Sequence, residues 1–264
     1  MLNLVHVVKI LGLHFRSTNN LGDRTCHPLD YFDLTSGGLN QVTCADVRAF
    51  PFIEKLDVVV FGGGALGTLS QRVREIYPNA AFVGWGVGCT SRNMAPVNAV
   101  AHDKASAGFS LWGARDWGAS QDYVPCVSCM SPIFDEELTI RHETVVYGHS
   151  GVRPLKSEAE KLGLPYMDNT TPVTLREALE FLASGETVIT SSYHGAYWGT
   201  LLGRKVAMIP FGAKFFSLKH RPPVAEDIAS GRRIAVSTAG VLEESRSLNL
   251  NFSKRVQALL EAKR

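Results

Sequence analysis

The segment 187–210 constrains the fold of this chain more than any other. Residues 187–190 are mostly β-branched and predict a short buried strand, and the apolar run 196–202 predicts a helix that ends at a glycine. A second apolar strand, 206–209, ends at Pro210. A strand, a loop, a helix and a second strand in this order predict one β-loop-α-β unit of a parallel sheet.

The loop of this unit, Ser191-Ser192-Tyr193-His194-Gly195, is the predicted centre of the chemistry. Ligands of open parallel sheets bind beyond the carboxyl ends of the strands, and a helix start attracts anions. His194 is therefore the candidate catalytic residue, and Ser191, Ser192 and Gly195 are candidate substrate-binding residues. A capping serine and a histidine bonded into a seam between domains would explain the same loop, and both interpretations stay open.

Strands, glycine loops and helices alternate along the rest of the chain, which predicts an α/β fold with mainly parallel sheets. An irregular stretch, 125–141, separates two such series, so we predict an N-terminal domain, 1–140, and a C-terminal domain, 141–264. The last helix, 251–263, could pack back on the first domain. The other predicted strands are 5–13, 57–61, 81–84, 109–113 and 144–147, and the other predicted helices are 68–77, 155–162 and 174–185.

Composition excludes several classes of protein. The 264 residues are 45% hydrophobic and 20% charged, with a net charge of +2, which is ordinary for a globular enzyme and too small to indicate nucleic-acid binding. Five cysteines with irregular spacing do not predict a disulfide framework. No apolar run reaches the ~18 residues of a membrane span. We therefore expect a cytoplasmic protein.

The glycine loop Gly62-Gly-Gly-Ala-Leu-Gly67 has the spacing of a dinucleotide site between a strand and a helix. Such a site needs an acidic residue at the end of the following strand, and that strand ends Val83-Gly84-Trp85. Close backbone packing at the cleft is the favoured role, so Gly63 and Gly64 are candidate substrate-binding positions. We predict no cofactor.

Cys126 and Cys129 form one C-x-x-C pair without a second pair or nearby histidines. Zinc needs three or four protein ligands, so this spacing predicts no metal site. The pair also lies outside a thioredoxin-like helix start, which argues against a redox dithiol. We interpret both cysteines as small apolar residues of a loop.

Two further motifs have open roles. Arg115 and Asp116 follow a strand, and a structural ion pair between them is slightly favoured over an Arg115 that binds an anion in the cleft. Asn20 and Asp23 flank a glycine, which is typical of turns, but their place after the first strand directs them toward the cleft. Lys214 follows the last predicted strand.

Taken in order, these motifs resemble the polysaccharide pyruvyl transferase family over most of the chain, from about Asn20 to about Lys214. Each motif by itself is a weak indication of the family, and their occurrence in this order is a stronger one. The final histidine–glycine loop is the most specific of them. The motifs are Asn20-Leu-Gly-Asp23, the runs 58–64 and 84–88, Ala114-Arg-Asp116 with Ser120, and Thr190-Ser-Ser-Tyr-His-Gly195 with Lys214.

The resemblance implies two Rossmann-like domains arranged as in the twin-Rossmann glycosyltransferases, with the acceptor on the N-terminal side and the donor on the C-terminal side. It implies transfer of pyruvate from phosphoenolpyruvate to two hydroxyls of a sugar, as a cyclic ketal. The acceptor would be a saccharide or lipid-linked oligosaccharide of an exopolysaccharide or cell-wall glycan, which allows peripheral attachment at the inner face of the membrane.

The chain departs from the family at two points. Ser192 stands where the family commonly has an arginine, two residues before the histidine, and the chain is short. These departures keep open a homologue without catalytic activity that binds an anionic ligand or a partner. A sugar-nucleotide glycosyltransferase on the same architecture is the other alternative, although no carboxylate of the second domain is an obvious ligand for a ribose.

Ketal formation needs a proton donor and acceptor together with cations for phosphate and carboxylate. His194 suits the first task, because an imidazole pKa of about 6.5 allows both forms near neutrality. Arg115 and Lys214 suit the second. No residue of the helix after His194 calls for an imidazole, so we expect its role to be proton transfer rather than packing.

Overall fold

A computed structural model describes residues 6–66, 69–118, 122–151 and 155–264. Four positions used above lie outside these ranges: Val5 of the first predicted strand, Gly67 and Thr68 of the glycine loop and helix, and Ser120 of the family motif. No helix within the described ranges has both the length and the apolar composition that crossing a membrane requires.

The first sheet contains five parallel strands in the order β2-β1-β3-β4-β5. The inner strands β3 and β4 are buried along their whole length, as expected when helices or loops cover both faces of a parallel sheet. The strands are β1 (Val8–His14), β2 (Asn40–Asp46), β3 (Val58–Phe61), β4 (Ala81–Val87) and β5 (Leu111–Ala114), and the helices between them are α1 (Leu21–Arg24), α2 (Leu69–Ile76) and α3 (Ala99–Ser106).

The second sheet contains four parallel strands in the order β7-β6-β8-β9. Its strands are β6 (His142–Gly148), β7 (Tyr166–Asp168), β8 (Gly185–Thr190) and β9 (Lys205–Met208). The helices of this half are α4 (Leu155–Lys161), α5 (Leu175–Ala183), α6 (Tyr193–Leu201), α7 (Ala213–Phe216), α8 (Ile228–Ile234) and α9 (Val241–Glu261).

The predicted fold class is confirmed, because both sheets are parallel and their strands alternate with helices. Both sheets also wind in the same way. In each, the second strand in chain order lies outside the first, and the chain then crosses to the other side of the first strand. The direction of winding therefore reverses between β1 and β3 and again between β6 and β8, the positions at which open α/β sheets bind ligands.

The sequence analysis missed the two strands β2 and β7. Each is the edge strand next to the first strand of its sheet, and each is only partly buried. A strand that pairs on one side and faces solvent does not need a continuous apolar run, so the apolar signal used for the inner strands is weak here. The helices α3 and α8 were also missed.

Helix α6 begins earlier than predicted, at Tyr193 instead of residue 196. The Ser192 side chain accepts a hydrogen bond from the Gly195 N–H and caps the helix. His194 consequently belongs to the first helical turn and not to a loop.

The last helix, α9, packs against the first sheet. It begins at Val241, earlier than the predicted residue 251. Phe252 and Val256 are buried in the same apolar cluster as residues of β1, β3 and β4, and the Trp85 indole N–H donates to the Asn249 side chain at 2.8 Å. The helix thus contributes to the core of the sheet formed by the first 114 residues. The division of the chain at residues 140 and 141 stays a prediction.

The Phe252→Ala substitution tests this packing. Phe252 is 2% exposed and its ring lies edge-on to Trp85, with centroids 5.2 Å apart. Removing a buried phenylalanine costs about 3–5 kcal/mol, so the free energy of unfolding measured in urea should fall by that amount. Gln257→Ala, at an exposed position of the same helix, is the control. Equal stabilities of the two variants would contradict the packing.

Candidate functional site

A cleft of about 290 Å³ lies at the carboxyl ends of the strands of both sheets, where the two sheets approach each other. Helix α1 follows β1 and helix α6 follows β8, so the first turns of both helices reach it. The Leu21 N–H donates to the Asn169 carbonyl at 2.9 Å and joins the two halves of the chain. Six residues proposed from the sequence line the cleft: Asn20, Asp23, Arg115, Ser192, His194 and Lys214.

The start of α6 is held by hydrogen bonds at the end of β8. The Thr190 hydroxyl donates to the Tyr147 carbonyl at 2.6 Å and accepts from the Ser192 N–H at 2.9 Å. The Ser192 hydroxyl caps the helix at the Gly195 N–H, 3.3 Å away. These bonds direct the first turn of α6, with its partial positive charge, toward the cleft.

His194 is packed tightly in this first turn and is 5% exposed. Its ring lies 5.1 Å from the Trp198 ring, and its Nε2 lies 3.6 Å from the Cys126 Sγ. A methyl group added to Gly22 would lie only 1.9 Å from the imidazole Nδ1, so α1 can approach α6 only because residue 22 is glycine. The expectation that packing places no demand on the imidazole was wrong, because the ring fills the contact between the two helices.

The environment of His194 keeps the imidazole neutral. Burial lowers its pKa well below 6.5, and the charges of Arg115 and Lys214 lower it further. The sequence analysis assumed an ordinary imidazole pKa, which the structure contradicts. A bound anion that neutralises the two cations would raise the pKa of His194 again, because the repulsion that lowers it would be removed.

Arg115 faces the cleft, and the expected ion pair with Asp116 does not form; the Asp116 Oδ2 lies instead 2.9 Å from the His102 Nε2. The guanidinium stacks on the Tyr193 ring at 4.5 Å, and the side chain is buried. Its Nε and one terminal nitrogen have no hydrogen-bond partner among the described residues. A buried guanidinium with unused donors is well suited to a carboxylate or phosphate ligand.

Lys214 lies in α7 and also lines the cleft. Its ammonium lies over the rings of Phe211 and Phe215, at 4.9 and 5.7 Å. Burial, followed by the charge of Arg115, lowers the pKa of Lys214 to about 8. Lys214 is therefore positive at neutral pH but close to losing its proton.

Asn20 and Asp23 form the first turn of α1. The Asn20 side chain caps the helix by accepting from the Gly22 N–H, and its amide donates to the Asp23 carboxylate at 2.9 Å. Asp23 is the acidic residue among the described residues that line the cleft. It faces two cations, so the cleft keeps an excess of positive charge.

Four proposed residues support the cleft without lining it. The Ser191 hydroxyl accepts from the His149 N–H at 3.0 Å, and Gly195 is buried in α6. Gly63 has no side chain and so leaves room for the Cys26 side chain, and Gly64 adopts the left-handed conformation with φ at 83°. These four residues support the structure behind the cleft.

His149 and Tyr193 are among the lining residues that were not assigned from the sequence. His149 follows β6 as His194 follows β8, so its position at the end of a parallel strand was an available signal. Burial, followed by the charge of Lys214, lowers the pKa of His149. Tyr193 lies beside His194 in the sequence, but only the fold shows that the Arg115 guanidinium stacks on its ring.

Cys89, His102 and Asp116 are brought together from distant segments, with potential ligand atoms within 4.8 Å of one another. The spacing of the cysteines gave no indication of this set. The Trp112 indole nitrogen lies 3.3 Å from His102 Nδ1, and His102 Nε2 lies 2.9 Å from the Asp116 carboxylate. Burial lowers the pKa of His102, but the hydrogen bond to the Asp116 carboxylate raises it to about 9. Both ring nitrogens of His102 are engaged in these contacts, and the cluster forms a hydrogen-bond network around Asp116.

Comparisons with known proteins do not identify the family. No family model matches the chain, and no curated protein matches it. A solved structure of a putative UDP-N-acetylglucosamine 2-epimerase from Listeria monocytogenes aligns with 10% identity over 96% of this chain and 90% of that chain, with a TM-score of 0.47. An uncharacterized protein from Klebsiella pneumoniae aligns with 12% identity over 78% and 84%, with a TM-score of 0.44. Likenesses this remote carry no argument about activity.

The contact between α1 and α6 predicts a coupled response to substitution. Gly22→Ala should destabilise the protein by about 1–3 kcal/mol, the usual cost of overpacking, because the new methyl meets the imidazole. His194→Ala removes the ring, so the double variant should lose clearly less stability than the sum of the two single variants. Additive losses in urea unfolding would show that the two residues do not contact each other.

The pKa of Lys214 predicts how anion binding depends on pH. Below about 8 the amine is charged and attracts an anion, and above that pH it is neutral in the free protein. Affinity for sulfate, whose charge is constant between about pH 7 and 9.5, should therefore fall as the pH rises through this range. Lys214→Arg should flatten the profile, because a guanidinium stays charged. A flat profile in the unmodified protein, measured by calorimetry, would contradict the assignment.

Proposed function

We propose that this protein transfers pyruvate from phosphoenolpyruvate to a saccharide, with formation of a cyclic ketal. The observation that carries the proposal is the pair of cations that line the cleft together with His194, a buried Arg115 with unused donors and Lys214. The resemblance of the sequence motifs to the polysaccharide pyruvyl transferase family supports the same assignment.

The charges of the cleft suit the donor. Phosphoenolpyruvate carries a carboxylate and a phosphate on one small carbon frame, and the cleft offers two cations together with the start of α6. Ser192 replaces the arginine that is common in the family, but it is occupied as the cap of α6. Arg115, stacked on the next residue, Tyr193, supplies a guanidinium close to this position.

The chemistry requires one proton donor that later becomes a proton acceptor. Once the anionic donor offsets the nearby cations, His194 can take up a proton and deliver it to the methylene carbon. A sugar hydroxyl then bonds to the adjacent carbon, phosphate leaves with the electron pair of its C–O bond, and a second hydroxyl closes the ketal. Of the two hydroxyl protons, one returns to His194 and the other leaves with phosphate. Arg115 and Lys214 stabilise the charge on the departing phosphate.

A second cavity, of about 560 Å³, adjoins the cleft on the side of the first sheet. The two cavities share Ala65 and Thr90, and Gln71, Lys104 and Trp112 line the larger one. Its position supports the acceptor side assigned to the N-terminal domain, because a sugar bound there would reach the donor through the shared wall.

The proposal predicts that incubation with phosphoenolpyruvate and a panel of hexosides releases inorganic phosphate and adds the mass of a pyruvyl ketal to one sugar. His194→Asn should lower turnover roughly 100-fold or more, the usual scale for loss of a general acid or base, while donor affinity changes much less. His142→Asn, at an exposed position, is the matched control. Lys214→Met should instead weaken donor binding by about 1.5–3 kcal/mol.

Ligand-dependent shifts of the melting temperature separate the alternatives. Stabilisation by nucleotide sugars and not by phosphoenolpyruvate would replace the proposal with a glycosyltransferase. Stabilisation by neither, together with no phosphate release, would favour a homologue without catalytic activity. Full turnover in His194→Asn would remove His194 from the chemistry.

A further inference from the structure

A chain of hydrogen bonds leads from the interior of the protein to His194. The Trp198 indole nitrogen lies 2.9 Å from the Ser128 Oγ, the Ser128 Oγ lies 3.2 Å from the Cys126 Sγ, and the Cys126 Sγ lies 3.6 Å from the His194 Nε2. Ser128, Cys126 and Trp198 are fully buried. The Ser128 backbone N–H also interacts with the Cys126 sulfur.

The direction of this chain follows from its first member. An indole N–H can only donate, so the Ser128 oxygen accepts from Trp198 and has one proton left for the Cys126 sulfur. The thiol then has its own proton available for His194 Nε2. If the Cys126 thiol instead donated to Ser128, the Ser128 hydroxyl proton would have no acceptor among the described residues. An unpaired donor is costly in a buried site.

We infer that Cys126 and Ser128 are positioning residues that keep the resting His194 in the tautomer with its proton on Nδ1. Nε2 accepts from the thiol, and Nδ1 makes no hydrogen bond to a described residue. Nδ1 is the nitrogen directed at the contact with Gly22, at the edge of the cleft. The resting protein therefore carries an N–H group, and not a lone pair, on the side of the ring next to α1, whose residues Asn20 and Asp23 line the cleft.

The protonation states of both groups agree with this arrangement. Burial raises the pKa of the Cys126 thiol, so it keeps the proton that it donates. Burial lowers the pKa of His194, and the charges of Arg115 and Lys214 lower it further. The imidazole therefore stays neutral and can accept the hydrogen bond from the thiol. A neutral N–H in a cationic cleft favours an anionic oxygen as its first partner.

The tautomer itself does not depend on the proposed function, but its consequence for catalysis does. If pyruvate transfer takes place, the Nδ1 atom gives the proton to the donor and afterwards accepts one from the sugar hydroxyl. A thiol at Nε2 remains a partner in each state, because sulfur can also accept from a protonated imidazole.

Nitrogen-15 NMR of histidine-labelled protein tests the inference directly, with the His194 signals assigned by their loss in His194→Gln. In the unmodified protein at neutral pH, Nδ1 should have the chemical shift of a protonated nitrogen and Nε2 that of an unprotonated one. Cys126→Ala should convert this single tautomer into a mixture, and Cys126→Ser, which keeps a donor, should retain it. Cys44→Ala, at an exposed cysteine, is the control.

A proton on Nε2 in the unmodified protein would overturn the inference, as would an unchanged tautomer in folded Cys126→Ala. Ser128→Ala provides a second variant if the first does not fold, and it should also give a mixture. Should pyruvate transfer be observed, Cys126→Ala should lower turnover roughly fivefold or more, the scale of one lost hydrogen bond, with little change in donor affinity. Absence of pyruvate transfer would leave the NMR result valid, so the two proposals fail separately.

Discussion

The contact between the His194 imidazole and the α-carbon of Gly22 determines the geometry of the cleft. Each residue lies in the first turn of a helix that follows an inner strand, one in each sheet. Because the ring leaves no room for a side chain at residue 22, the two helix starts approach as closely as their backbones allow. The distances among the cations, the carboxylate and the imidazole of the cleft depend on this approach.

The electrostatics of the cleft are unfavourable without an anion. Arg115 is buried and Lys214 is partly buried, and among the described lining residues Asp23 alone offers a negative charge. Burial lowers the pKa of both Lys214 and His194, the charge of Arg115 lowers both further, and the charge of Lys214 also lowers that of His194. Such an arrangement costs stability and is typical of functional sites, where the ligand supplies the missing charge.

Tryptophan side chains organise the buried polar groups of this protein. Trp112 donates to His102, and Trp198 donates to Ser128 at the start of the network that ends at His194. An indole N–H cannot accept, so each network has a defined direction. The same logic underlies the inference that the resting His194 carries its proton on Nδ1.

Much of the fold could be predicted because inner strands of parallel sheets are continuous apolar runs. Such runs identified β3, β4, β6 and β8 and the alternation with helices that defines the fold class. The edge strands β2 and β7 were missed because partial exposure removes that signal. The position of α9 on the first sheet was foreseen only as an option, since an amphipathic helix does not specify which surface it covers.

The sequence by itself determined which residues stand at strand ends and helix starts, and so it grouped Asn20, Asp23, Ser192 and His194 as neighbours of one cleft. Only the tertiary structure decided their chemistry. Asp116 lies beside His102 and forms no ion pair with Arg115, and Cys126 reaches His194 across 68 positions of the chain. Burial and the distances between charges set the state of each titratable group, and both quantities exist only once the two sheets have packed together.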